Sequence, residues 1–471
     1  MLIFSYNIDL DGAEFTFVHY IQQLLKGEPL YLNPYEAPFS ITIYTPLYLH
    51  LVEAACRFLE VNYIDNIYKI FITGRIISFG FTILGVYYIY LFAKKYLTDN
   101  ALILFACALY LLLITGHSYA VRPDSMKLAF FIAFLYYFID YFFESGNASS
   151  KLRSLVFGIL CIAAKQDAFI YIGLFLGVTF LVKRTKQVFI YLVVFAFSVC
   201  FLFLLFHIIY GKYCLSSLFL FNLQGISDYK NSYNFLIVIF NTFRLSPFYL
   251  LFIYILVSKK KNNQPLTITF AITGFFAALL SSFFLFRPGS YLNYTYELIA
   301  IALVTTIIFI KNRSEFPKKT FYFTGIYVLL IFASNTVLNI YTINFDKEDA
   351  HKAAFSEYYQ LRKDLIPLLE KKASIFNPEL QQSIFIADFN VIYGQEYHLD
   401  RLIYGLLGLK TTSKLMTVSS KQYDELFTNG KIDFLVTKEN ERAKELIVKH
   451  YPAYKPYLKK GNYIIYSTQT P

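Results

Sequence analysis

The sequence predicts an α-helical polytopic membrane protein with a small soluble α/β domain at its C-terminal end. Three observations carry that expectation. The chain of 471 residues is 56% apolar with a mean hydropathy of +0.47, and only 16% charged, where ordinary chains carry about 25%. Apolar segments that span a bilayer, or nearly so, recur about ten times, at 70–92, 101–115, 127–143, 154–165, 167–182, 187–209, 234–257, 266–286, 295–310 and 320–340. Beyond about Phe345 charges become frequent and apolar runs shorten to strand length.

Composition also narrows the function. The formal net charge of +11 lies in short Lys and Arg clusters between apolar runs, a pattern that encodes topology and argues against a nucleic-acid partner. Trp is absent, so the 42 Tyr supply most of the interfacial aromatic belt. The five cysteines, Cys56, Cys107, Cys161, Cys200 and Cys214, show no C-x-x-C spacing, which gives neither a metal site nor a disulfide framework. Cys56 and Cys214 alone share an outward-facing compartment, so a bond between them is the one pairing the topology leaves open.

Residues 1–8 are apolar but far short of a span and have no basic leader. From Glu14, the spacing of Phe15, Val18, Ile21, Leu24 and Leu25 predicts an amphipathic helix lying along the surface and stopping at Gly27. A Pro-rich stretch follows, and Tyr44-Thr45-Pro46-Leu47-Tyr48 opens a second amphipathic helix to about Glu60. Residues 9–69 therefore form one large ordered loop ahead of the spans.

Charge alternates between the connecting loops. Lys94-Lys95, Lys151 with Arg153, Lys183-Arg184, Lys259-Lys260-Lys261, and Lys311 with Arg313, Lys318 and Lys319 fall on every second loop, which the positive-inside rule makes cytoplasmic. The intervening loops, the 9–69 segment and the tail then share the extracytoplasmic face. With both ends outside, export of the 9–69 segment calls for an upstream helix, of which Met1–Ile8 would be the outer end. Residues 1–344 form the membrane domain and 345–471 the soluble one, with strands at Ile384–Ala387, Ile432–Val436 and Tyr463–Tyr466 and helices near 348–372, 398–408 and 439–450.

Four outward-facing constellations carry chemistry. The first is Asp9, Asp11 and Glu14. Carboxylates cost roughly 2.5 kcal/mol or more at the centre of a membrane helix, so this cluster sits at the interface or in a wet cavity; Asp9 and Asp11 also suit helix capping. Second is Arg122-Pro123-Asp124, third Lys165-Gln166-Asp167, and fourth Arg287-Pro288-Gly289-Ser290 with Asn293, Tyr294 and Glu297. Arg122 and Arg287 each stand where an arginine snorkels at a helix end, whereas Lys165 interrupts an apolar stretch and wants Asp167 or an anionic ligand as partner. Basic groups that hold a phosphate, beside a carboxylate that takes a proton from a hydroxyl, suit transfer from an anionic lipid. The Asp-x-Asp of Asp9 and Asp11 has a metal-binding spelling on three residues alone. No cofactor is expected, and a divalent cation has no support beyond that pair. The sequon at Asn293-Tyr294-Thr295 abuts a span and reads as incidental.

Asp11-Gly12-Ala13-Glu14, Lys26-Gly27-Glu28-Pro29-Leu30-Tyr31 and Tyr44-Thr45-Pro46-Leu47-Tyr48, followed by Arg122-Pro123-Asp124, Lys165-Gln166 and Gly289-Ser290 with Asn293-Tyr294, resemble the GT-C membrane glycosyltransferases. The likeness is to the group of protein O-mannosyltransferases and lipid A aminoarabinose transferases, and covers most of 9–310. It implies inverting transfer of a sugar from a polyprenyl-phosphate donor to a hydroxyl of a glycan, lipid or protein acceptor, at the outer face of the cell (inner) membrane. It also implies that Asp11 is the general base with Asp9 or Glu14 assisting, that Arg122, Lys165 and Arg287 hold the donor phosphate, and that Asp124, Gln166, Asn293, Tyr294 and Glu297 bind substrate. That family has a spanning helix ahead of the acidic loop, which residues 1–8 do not provide.

Three other readings remain. A polysaccharide polymerase or ligase usually places its key loop late in the chain, against the early acidic loop here. A transporter or lipid flippase calls for mid-helix charges and inverted repeats. A scaffold would work through its tail.

Overall fold

The computed structural model describes residues 2–4, 14–33, 36, 42–62, 66–114, 119–220, 232–257, 264–285, 292–311, 348–367, 374–377, 390–393, 424–438, 448–461 and 463–468. Two short helices come first, α1 (Glu14–Lys26) and α2 (Leu47–Phe58). A helical bundle follows: α3 (Ile67–Tyr96), α4 (Asn100–Ile114), α5 (Asp124–Ile139), α6 (Ala148–Ala164), α7 (Ala168–Lys183), α8 (Lys186–Tyr210), α9 (Ser232–Val257), α10 (Pro265–Phe284) and α11 (Tyr296–Lys311). Five of the described stretches are long and apolar enough to cross a membrane: α3, α5 with its continuation to Glu144, α8, α10 and Asn293–Lys311.

Local chemistry sets the ends of these helices. Asn66, Asn147 and Thr185 cap α3, α6 and α8 by accepting from the backbone N–H of Lys69, Ser149 and Val188. Pro265 opens α10, where its fixed φ suits a first turn. Gly211 ends α8 at φ 83°, a conformation that a side chain would strain.

Nine of the ten anticipated spans coincide with these helices, and the tenth, 320–340, lies outside the described residues. α5 and α11 are buried along most of their length and form the centre of the bundle. α8 is the opposite case: it leaves Phe189, Val194, Phe197, Phe201 and Ile208 exposed, an apolar face for lipid.

α1 departs from expectation. Its apolar stripe packs through Phe15 on Phe71 of α3 and through Phe17 on Tyr44 and Tyr48, but its polar residues His19, Gln22 and Gln23 are buried as well. The helix is enclosed by protein instead of lying with one face in water. α2 keeps the amphipathic character its spacing implies, burying Tyr48, Leu49, Val52 and Cys56 and exposing Leu51 and Phe58. Arg57 of α2 donates to the Leu24 carbonyl at 2.8 Å, tying the two helices together.

All five cysteines are free thiols, so the Cys56–Cys214 bond does not form. The two thiols have different neighbours: Cys56 lies beside Thr73 and Cys214 beside Tyr31.

In the tail, α12 (Glu348–Leu365) precedes a five-stranded sheet of β1 (Ser374–Asn377), β2 (Asn390–Tyr393), β3 (Phe434–Lys438), β4 (Lys455–Lys460) and β5 (Tyr463–Ser467). The order is β2-β1-β3-β5-β4, with β1 parallel to β2 and β3, and β5 antiparallel to β3 and β4. Alternation along β3 sends Phe434 and Val436 towards Leu361 and Leu365 of α12, and Leu435 towards Phe427, Tyr451 and Tyr454 on the other face. Strands near 434 and 463 and a helix from 348 were legible in the sequence. Those at 374, 390 and 455 were not, and the segments at 384–387 and 398–408 lie outside the described residues. α12 reaches the bundle where the Ile67 N–H donates to the Tyr359 hydroxyl at 2.7 Å.

Candidate active site

The two ends of the bundle differ in character. At one end the basic loops collect: Lys95 pairs with Asp140 at 3.1 Å and with Glu144, while Lys151, Arg153 and Lys311 lie over the rings of Tyr141, Tyr137 and Tyr96. At the other end Arg75, Arg122, Lys127 and Lys165 are buried with Glu14, Asp124 and Glu297, and the partly exposed Asp167 joins them.

Glu14 begins α1 and faces α3. Its carboxylate is held by Arg75 in a fork, Nε to Oε1 at 2.9 Å and Nη2 to Oε2 at 2.7 Å, and Oε1 also accepts the Val121 N–H at 2.8 Å. The start of α1 is thereby locked to the segment that carries Arg122.

Asp124 is the hub of the second group. Pro123 starts α5, placing Asp124 in the first turn, where a negative charge complements the helix dipole. Its Oδ2 accepts from Arg122 Nε at 3.1 Å, and its Oδ1 accepts from Lys165 Nζ at 2.8 Å and Asn293 Nδ2 at 3.0 Å. Lys165 arrives because α6 ends there in extended backbone, and α7 resumes three residues on at Ala168. Tyr294 and Tyr44 present their rings to its ammonium, 4.9 and 5.9 Å away.

Asp167 extends the network. It lies 3.7 Å from Lys165 and accepts from Lys127 at 3.2 and 3.3 Å, and Lys127 meets Glu297 of α11 at 2.5 Å. Ions of this kind cost several kcal/mol each to bury alone, so the alternation of sign is what makes the cluster tolerable.

Gln166 joins two further segments. Its Nε2 donates to the Ile43 carbonyl at 2.6 Å and the Leu218 carbonyl at 3.3 Å. Asn293 is fully buried with its amide engaged by Asp124, consistent with an unmodified sequon.

Of the residues singled out in the sequence, the fold unites Arg122, Asp124, Lys165, Gln166, Asn293, Tyr294 and Glu297, with Glu14 one short segment away. Asp9, Asp11 and Arg287 lie outside the described residues. Arg75 and Lys127 were not anticipated. Both were absorbed into apolar spans, though a cation inside such a segment is itself a signal. Among the described residues, no three His, Cys, Asp or Glu side chains group as metal ligands.

No protein-family model matches the sequence, and no curated protein is similar to it. Solved structures are. The crystal structure of ArnT from Cupriavidus metallidurans bound to undecaprenyl phosphate aligns with 99% of this chain and 96% of its own, at TM-score 0.61 and 10% identity. The chain has the GT-C fold. The apo crystal structure of the same ArnT aligns with 97% of this chain and 93% of its own, at TM-score 0.47 and 9% identity. Within the GT-C fold, the buried charge network gathers at the end of the bundle opposite the basic loops.

Proposed function

We propose that the chain is an integral membrane glycosyltransferase that moves a sugar from a polyprenyl-phosphate donor to an acceptor hydroxyl on the extracytoplasmic face. One observation carries the reading: the fold matches, over nearly its whole length, a structure bound to undecaprenyl phosphate, and a cluster of buried cations lies at one end of this bundle. The same end carries α1, directly after the Asp9 and Asp11 segment.

The chemistry is an inverting displacement. The acceptor oxygen bonds to the anomeric carbon, the bond from that carbon to the phosphate oxygen breaks, and the acceptor proton passes to Asp11. Arg122, Lys165 and Arg287 stabilise the charge that grows on the leaving phosphate. Glu14, with both oxygens engaged by Arg75 and the Val121 N–H, serves to position the acidic segment. Asp124 keeps Lys165 and Arg122 in place until the phosphate enters. The positively charged loops support a cytoplasmic side at the opposite end. The soluble tail takes part in choosing the acceptor, through its contact with α3.

The charged side chains cluster near helix ends at one side of the bundle, which favours surface chemistry over a transport path through it. The test is transfer of labelled sugar from a synthetic polyprenyl-phosphate donor in membranes expressing the chain. Asp11→Asn is expected to lower the rate by roughly 10²–10⁴ at unchanged expression. Equal rates would remove Asp11 from the chemistry, and transfer from none of the donors by the parent would reject the reading.

A further inference from the structure

Four buried polar atoms, on residues of the segments that meet around Lys165 and Gln166, have no hydrogen-bond partner among the described residues: Thr45 Oγ1, Gln166 Oε1, Ser217 Oγ and Asn293 Oδ1. Buried hydroxyl and amide oxygens normally find partners, so four such atoms in one neighbourhood call for an explanation. Their proximity follows from the contacts already described. Gln166 Nε2 bonds to the carbonyls of Ile43 and Leu218, two positions before Thr45 and one after Ser217 in the chain. Asn293 joins this neighbourhood through the Asp124 oxygen it shares with Lys165. Tyr44 and Tyr294, the chain neighbours of Thr45 and Asn293, present their rings to Lys165.

We infer that Thr45, Gln166, Ser217 and Asn293 form a subsite for the hydroxyl groups of a neutral sugar ring, the one carried by the donor. Two amide oxygens need donors, and two hydroxyls can donate or accept, which matches a ring bearing several hydroxyls. A cationic amino sugar is the poorer fit, because the Lys165 ammonium stands beside the same segments and Asp167 is already bonded to Lys127. The inference rests on the glycosyltransferase reading and adds to it the class of sugar and the atoms that read it. It also brings in Ser217, which no motif had marked, and gives a role to Thr45 of the Tyr44–Tyr48 motif.

The test measures binding to the purified full chain of three probes: bare polyprenyl phosphate, the same lipid with a neutral hexose, and the same lipid with an amino sugar. A soluble methyl hexoside is added as competitor. The neutral hexose is expected to tighten binding about tenfold over the bare lipid, and the amino sugar to add less than threefold. Thr45→Val, which replaces the hydroxyl by a methyl, and Ser217→Ala, which removes it, are expected to abolish most of that gain while leaving the bare lipid unaffected. Both variants are also expected to melt no lower than the parent, since each removes a buried hydroxyl without a partner. The methyl hexoside is expected to compete against the hexose gain alone, since a free neutral ring enters the same subsite.

Equal binding of bare and hexosyl lipid would overturn the subsite and leave carrier binding standing. An amino sugar that binds as well as the hexose would overturn its neutral character. Equal weakening of both lipids by the variants would assign these residues a structural role and also overturn the inference. Binding of no lipid at all would reject the glycosyltransferase reading beneath it.

Discussion

Arg75 holds both oxygens of Glu14 in a fully buried fork, at 2.9 and 2.7 Å. This pair joins the first turn of α1 to the N-terminal half of α3, and through Val121 to the segment that presents Arg122 and Asp124. Removing one ion from such a pair strands the other. Arg75→Met is therefore expected to lower unfolding stability by about 3–5 kcal/mol, read from denaturant unfolding in detergent. The double variant with Glu14→Leu should recover part of the loss, because no charge is left buried. A double variant less stable than the single would show that the ion pair is not the reason for the cost.

Gly74, one residue before Arg75, lies against the same segment. A Cβ there would sit 2.6 Å from Val121 Cγ1, closer than packed carbons tolerate. Gly74→Ala is expected to destabilise by about 1–3 kcal/mol and to depress sugar transfer, because Val121 must move and takes the N–H bonded to Glu14 with it. Gly80→Ala in the same helix meets nothing within 4 Å and is the matched control, expected to be neutral or slightly stabilising. Similar losses in both variants would point to helix distortion instead of the Val121 contact.

Hydrophobic length made the bundle legible, since a bilayer accepts few ways of hiding a backbone. The break at Lys165 was legible for the same reason: a cation in an apolar stretch needs a partner, and Asp124 supplies it. What the sequence concealed was distance in the chain. Asn293 meets Asp124 across 169 positions, and no local pattern encodes that. Arg75 and Lys127 were hidden because averaging over a span absorbs a single charge. The burial of α1 was hidden because periodicity identifies an apolar stripe but not whether protein also covers the polar one. In the tail, strands of four to six residues are too short for alternation to stand out among charged neighbours.

The burial of α1 has a pH consequence through His19. Its side chain is buried, and burial pulls its pKa from 6.5 down to about 3. The native state therefore keeps the imidazole neutral, whereas the unfolded chain binds a proton near pH 6.5. Below that pH the unfolded state carries more protons and gains relative stability. The contribution of His19 is fully present above pH 6.5 and falls by about 2 kcal/mol at pH 5. Unfolding midpoints at pH 8 and pH 5 should differ more for the parent than for His19→Leu. An identical acid sensitivity in the two would assign the effect to other groups.

Asp124 offers the sharpest test of how the cations are used. It neutralises Lys165 and Arg122 from a position with no solvent exposure, so any phosphate that binds these cations competes with it. Asp124→Asn keeps the shape and removes the charge. The free protein is then expected to lose about 3–5 kcal/mol of stability, as two buried cations lose the carboxylate they share. Bare polyprenyl phosphate should bind the variant more tightly by about tenfold, or about 1.4 kcal/mol, and raise its melting temperature more than that of the parent. Lys165→Met should do the reverse and weaken the same lipid at least tenfold. These opposite signs follow only if the lipid phosphate takes the place of the Asp124 carboxylate against Lys165. Weaker binding in both variants would mean that Asp124 and Lys165 build the site as a fixed pair, with the phosphate held elsewhere.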